Sequence, residues 1–241
     1  MTTKIFQRIL ATFLVVAAIF LANGLNNVAN AARVQIYDGN VNDILNDIKK
    51  FENNIKKYKE DAEFKDYMIK SLKEKGYSDI QIKELMNIDL KLRGTHYYTG
   101  TDGFRYCESY FGDSDKNRLV FQVNNNGAVS SAWIIFPLYT LSGGDNYEGI
   151  TGGGLATDSI FDVIGLSDSE SDNIMDNYMH WVKNMQKKFD EGKIDEVRSS
   201  FPKDFSVWCT KSKRYINLNV SFNNIESADK ATINLFIYAN T

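Results

Sequence analysis

Proline, cysteine and histidine are all scarce, at two each in 241 residues. Two histidines cannot build a histidine-rich metal centre, and neither His96 nor His180 has a second ligand at metal spacing near it. Two cysteines, Cys107 and Cys209, allow at most one bridge. None precedes Cys107, so the lipid-bearing cysteine of an anchored protein is missing. A Gly-x-Ser-x-Gly elbow is absent, and with it the support for a serine hydrolase of that type. A Gly-x-x-x-x-Gly-Lys-Ser/Thr phosphate cradle is absent too. The shortage of proline and the 13% aromatic content argue against a disordered chain.

Long apolar runs are also missing, with one exception. Ile9–Ala22 is an apolar run of 14 residues behind Lys4 and Arg8, and Ala29-Asn30-Ala31 follows as a small-x-small site. That order is the grammar of a secretory signal peptide over residues 1–31, cut between Ala31 and Ala32. A membrane span needs about 20 apolar residues, so a retained anchor is the weaker account. The expected product is a secreted or periplasmic protein with no stable membrane anchor after cleavage. Loss of Lys4 and Arg8 leaves 26 basic against 31 acidic residues, a net charge of −5. An acidic chain is a poor partner for nucleic acid. The leader resembles those of small secreted bacterial proteins in general, and no motif ties the chain to a named family.

The rest of the chain is organised around residues 95–139, which read as four strands. A linker over 34–40 and a helical segment precede them, the segment and linker together spanning 32–93. Val41, Ile44, Leu45, Ile48, Phe51, Ile55 and Tyr58 make one apolar stripe at the helical period over 41–60. A second helix, about 62–75, aligns Phe64, Met68 and Leu72 and stops at Gly76. A third begins at Ser78, with Gln81 completing a capping box and Tyr77 and Ile82 a hydrophobic staple.

The period then changes to two. His96 and Tyr98 share a face, as do Tyr106 and Glu108. Leu119, Phe121 and Val123 point inward, and the run Trp133–Phe136 marks a central strand. Gly100–Gly103 and Asn126-Gly127 read as hairpin turns. Residues 142–157 hold six glycines and read as the one long loop, a candidate lid over a site. A short helix over 157–164 ends at Gly165, and Ser167 with Glu170 predicts the capping box of a long helix that ends at Gly192. Three closing strands alternate Ile216, Leu218, Val220 and Phe222 against Asn217, Asn219 and Ser221, and Ile233, Leu235 and Ile237 against Thr232, Asn234 and Phe236.

These patterns predict an α+β fold. A mostly antiparallel sheet of about seven strands over 94–241 is packed by a long helix, with an N-terminal helical segment. Export and an even cysteine count predict a Cys107–Cys209 disulfide, with two separate buried thiols as the competing account. Asp113, Asp115 and Asn117 carry part of the spacing of a calcium loop, but Arg118 and Asn124 occupy positions that need Gly and Glu, so a polar turn is the better reading. Nothing implies a cofactor, a metal or a catalytic residue. The favoured function is a non-catalytic binding or interaction module for an unknown protein or small-molecule ligand. The alternative is a cell-envelope or small-molecule enzyme with its site under the 142–157 loop.

Overall fold

The computed structural model describes residues 34–74, 78–87, 89–137, 147–223 and 231–240. The predicted leader and the residues that would form the Tyr77–Ile82 staple and the Gly76 stop thus lie wholly or partly outside the described residues. Gln35–Thr241 form one compact unit. Its elements run β1 (Tyr37–Asn40), α1 (Val41–Glu60), α2 (Ala62–Glu74), α3 (Asp79–Asn87), β2 (Arg93–Thr99), β3 (Arg105–Tyr110), β4 (Arg118–Val123), β5 (Ala128–Pro137), α4 (Tyr147–Val163), α5 (Asp168–Asp190), α6 (Ile194–Ser199), β6 (Lys203–Cys209), β7 (Arg214–Asn223) and β8 (Thr232–Asn240).

The expected α+β fold is what forms. Seven strands lie in the order β2-β3-β4-β5-β8-β7-β6, and every pair is antiparallel. The eighth is β1, which lies within the stretch read as a linker and pairs with the start of β5 at Val129 and Ala128. The meander β2–β5 and the hairpin β6–β7 are joined by β8, which pairs with β5 on one side and β7 on the other.

Alternation decides which residues meet the helices. Phe121, Ala132, Ile134, Phe136, Ile216, Leu218, Leu235 and Ile237 are fully or almost fully buried on one face. α4 packs on β5 there and α5 on β6, while α1 packs on α4 and buries Val41, Ile44, Leu45 and Ile48.

The glycine segment is the main correction. Residues 147–157 are not a loop; they form the first two-thirds of α4, and 142–146 lie outside the described residues. Gly149, Gly152, Gly153 and Ala156 recur at helical spacing, so the small residues fall on one side. A Cβ added to Gly153 would stand 2.4 Å from Phe136 Cε1, and one on Gly152 2.9 Å from Phe111 Cδ2. Both phenyl rings are buried. The glycines let the helix axis approach the sheet, a gain that offsets their poor helix propensity.

The disulfide is the second correction. Cys107 and Cys209 are free and fully buried on the covered face. β3 and β6 stand five places apart, about 24 Å at the usual strand spacing, whereas a bridge needs Cα atoms within about 7 Å. Each thiol behaves as a small apolar group, and Cys209 Sγ donates to Gly165 O at 3.5 Å.

The α5 capping box forms as read. Ser167 N donates to Glu170 Oε2 at 2.8 Å and Glu170 N to Ser167 Oγ at 3.4 Å. The other oxygen, Oε1, accepts from Thr210 N at 2.9 Å and Thr210 Oγ1 at 2.6 Å, so one carboxylate ties the start of α5 to the β6–β7 turn. Those bonds, the one from the Thr210 side chain first, pull Glu170 down to about 2.

Candidate binding surface

The face of the sheet turned away from α4 and α5 carries the side chains of opposite parity. Register places them in two rows that cross the molecule. One row runs Tyr98, Tyr106, Gln122, Ser131, Tyr238, Asn217, Ser206. The next runs His96, Glu108, Val120, Trp133, Phe236, Asn219, Asp204. Aromatics fill the β2–β8 side, and carboxamides and a carboxylate fill the β7–β6 side.

The rings form a continuous ladder. His96 stacks on Tyr98 at 5.9 Å, Tyr98 on Tyr106 at 5.3 Å, Trp133 on Phe236 at 4.6 Å and Phe236 on Tyr238 at 5.0 Å, while Tyr106 meets Trp133 at 60°. Centroid spacings close to the strand repeat, with planes about 20° apart, mean that the rings stand on the sheet and cover one another's faces. They shelter Val120, Gln122 and Ser131, which are buried. The rings of Tyr106, Trp133, Phe236 and Tyr238 are half-buried, and those on β2 are exposed; Tyr98 is 39% exposed.

The polar side is held by its own bonds. Asn219 Nδ2 donates to Asp204 Oδ1 at 2.9 Å, Tyr238 Oη to the same oxygen at 3.4 Å, and Ser206 Oγ to Asn217 Oδ1. Burial and then the Asp204 carboxylate raise the Tyr238 phenol, which keeps it a donor. Trp208 and Tyr215 close this end as an exposed edge-to-face pair, 45% and 48% exposed. At the other end the Gly100–Gly103 turn folds over the ladder, and Tyr106 Oη donates to Asp102 Oδ2 at 2.5 Å. Arg118 pairs with Glu108 across the strands at 3.3 Å.

Elsewhere the polar groups considered from sequence are held by neighbours or stand apart. Asp113 pairs with Lys91 at 3.0 Å and Asp115 with Arg93 at 2.7 Å, so the two carboxylates of the β3–β4 turn point to cations. His180 lies exposed on α5, and His96 lies exposed in the ladder. Burial raises the Cys107 thiol, which works against a thiolate nucleophile. Among the described residues no cluster of three or more His, Cys, Asp or Glu could hold a metal ion, and no helix is long and apolar enough to cross a membrane.

A shallow depression of about 410 Å³ lies on the other side of the sheet, between the start of α1 and Tyr97, Arg105 and Gly127. Among the described residues one carboxyl is pushed up. Asp158 on α4 is pushed up to about 7 by burial, and then by Asp172 on α5. It is not among the residues lining that depression.

The ladder was not singled out from sequence. Its signal was present as aromatics at the polar parity of strands, with Phe236 and Tyr238 alternating with Leu235, Ile237 and Ala239. No family model, curated protein or solved structure matches the chain.

Proposed function

We propose that this is a secreted, non-catalytic binding protein whose recognition surface is the open face of the sheet. The observation that carries the reading is the aromatic ladder from β2 to β8, left uncovered by the helices and continued by amides on β7. Exposed rings joined to fixed polar groups are the usual composition of a contact surface. The acidic balance of the chain and the paired state of Arg118 turn such a surface away from polyanions and toward uncharged, hydroxyl- or amide-rich ligands. The leader-like residues 1–31 support delivery outside the cytoplasm.

The enzyme alternative rests on a site beneath a flexible 142–157 loop, and over 147–157 that segment is a packed helix. Asp158 is the one observation in its favour, yet burial and then the neighbouring Asp172 account for its shift.

Tryptophan emission tests the choice, because Trp133 stands in the ladder and Trp208 at the end of the face. Titration with neutral glycan oligomers and uncharged peptides should shift the emission, and Tyr98→Ala with Trp208→Ala should abolish the shift. Heparin should leave it unchanged. Silence toward every probe, together with hydrolysis of a chromogenic ester or glycoside that Asp158→Asn abolishes, would replace the binder with the enzyme.

A further inference from the structure

The sheet has two outer strands, and they differ. β6 begins with Lys203 and Asp204 behind Pro202, and Lys211 and Lys213 follow in its turn. Charges and proline of this kind blunt an edge against pairing. β2 confines its charge, Arg93, and its irregular pairing with β3 to its first residues, between Arg93 and His96. Residues 94–99, Gly-Thr-His-Tyr-Tyr-Thr, contain no charged side chain and no proline, and Thr95–Thr99 are all exposed.

The phase of the hairpin shows which main-chain groups are free to pair. Gly100 N donates to Phe104 O at 2.8 Å and Gly103 N to Gly100 O at 3.0 Å. Antiparallel bonding alternates, so Tyr98 with Tyr106 and His96 with Glu108 exchange main-chain bonds. Phe111 N donates to Asn117 O at 3.0 Å, which turns the odd residues of β3 toward β4 and the even ones toward β2, the same phase. The N–H and C=O of Tyr97 and Thr99 therefore point outward, away from β3.

We propose that β2 is a self-association edge, where two copies pair β2 with β2 antiparallel about a two-fold axis through Tyr97. That register is self-complementary. Tyr97 faces Tyr97 of the second copy, Thr95 faces Thr99, and His96 faces Tyr98. Aromatic and Thr–Thr partners are favourable cross-strand pairs, and no like charges oppose one another within 94–99. On the open face the ladder ends at the exposed outer side of Tyr98 and His96. In the dimer these rings meet the His96 and Tyr98 of the second copy at strand spacing, so the two ladders become one. Both copies present the open face on the same side of a joined sheet, which doubles the length of the surface.

One strand pair is small beside the roughly 1,200–2,000 Å² of a stable interface, so the dimer forms in a concentration-dependent way. Sedimentation velocity on the full chain should show a rise from one-copy toward two-copy mass with concentration. Tyr97→Pro removes an outward N–H that β3 does not use, and Thr99→Lys adds an edge charge. Both should stay at one-copy mass with unchanged far-ultraviolet dichroism. Register is read by crosslinking. His96 and Tyr98 of the second copy form a non-hydrogen-bonded pair with Cα atoms about 4.5 Å apart, inside disulfide reach. A mixture of His96→Cys and Tyr98→Cys proteins should give a disulfide-linked dimer under mild oxidation, and neither alone should. A wild type fixed at one-copy mass would overturn the proposal, even if an added peptide binds the edge. So would a dimer that survives Thr99→Lys, or equal crosslinking by the single variants. None of these outcomes bears on ligand binding by the open face, which fluorescence measures separately.

Discussion

Phe136 and Phe236 stand on opposite faces of the paired strands β5 and β8, and each is covered in a different way. Phe136 is 1% exposed beneath the backbone of α4, where Gly153 leaves room for its ring. Phe236 lies on the opposite face, where its ring stacks between Trp133 and Tyr238. The covered face excludes water by bringing a helix backbone close, and that requires small residues. The open face excludes water by ring stacking, and its outer edges stay wet. One face thus concentrates the stability of the fold, while the other spends apolar area on a surface that a partner can reach.

Truncation is the strongest way to break the comparison. Phe136→Ala should cost about 3–5 kcal/mol, the range for a buried phenylalanine. Phe236→Ala should cost about 1–2 kcal/mol, because its burial is partial and stacking adds only about 0.5–1.5 kcal/mol. Urea denaturation of the two variants reads the difference, and equal losses would show that the ladder is a second core.

Charge on the covered side gives the next effect. The folded-state pKa of Asp158, about 7, lies above its ordinary 3.8. Its contribution to stability is therefore fully present below about pH 4 and is lost as pH rises toward 7. Asp158→Asn should stabilise the protein by on the order of 2–3 kcal/mol at pH 8, and the gain should vanish near pH 4. Thermal melts at the two pH values check it.

The close helix approach can be tested without removing any ring. Gly153→Val places branched carbons against Phe136, and should cost roughly 1–3 kcal/mol by overpacking. The same change at Gly154, where an added Cβ meets nothing within 4 Å, should cost little. The smallest effect belongs to Glu170. Glu170→Gln keeps one side-chain oxygen, which can serve Ser167 N or Thr210 but not both, and should cost about 1 kcal/mol near pH 7. Because the wild-type carboxyl is held low, that deficit should shrink as pH falls from about 5 toward 2.

The elements governed by local signals were legible in advance. The stripe from Val41 to Ile48, the Ser167–Glu170 box, the positive-φ glycines at Gly165 and Gly192 and the turn at Gly127 each depend on residues a few positions apart. The glycine and cysteine misreadings have one cause. Gly149–Gly154 looked like a loop because helix propensity is a property of a segment alone, whereas their helix is stabilised by Phe111 and Phe136 of other elements. Cys107 and Cys209 looked pairable because both occupy strands, and strand order is invisible until the sheet is assembled. The open face was half legible. Alternation placed Asn217, Asn219 and Ser221 on the wet face, but the ladder exists only once β2, β3, β5 and β8 are set side by side.

The position of β8 has a kinetic consequence. The meander of residues 93–137 and the hairpin of residues 203–223 are each local and can form early during synthesis. Neither can be joined to the other until residues 232–240 have left the ribosome, since β8 alone separates β5 from β7. Up to that moment the nascent chain carries two half-sheets with raw inner edges, the kind of species that invites mispairing and chaperone capture. Insertion of β8 then closes both edges at once, and the same event sets Phe236 beside Trp133, so the aromatic ladder is completed only when the two half-sheets join.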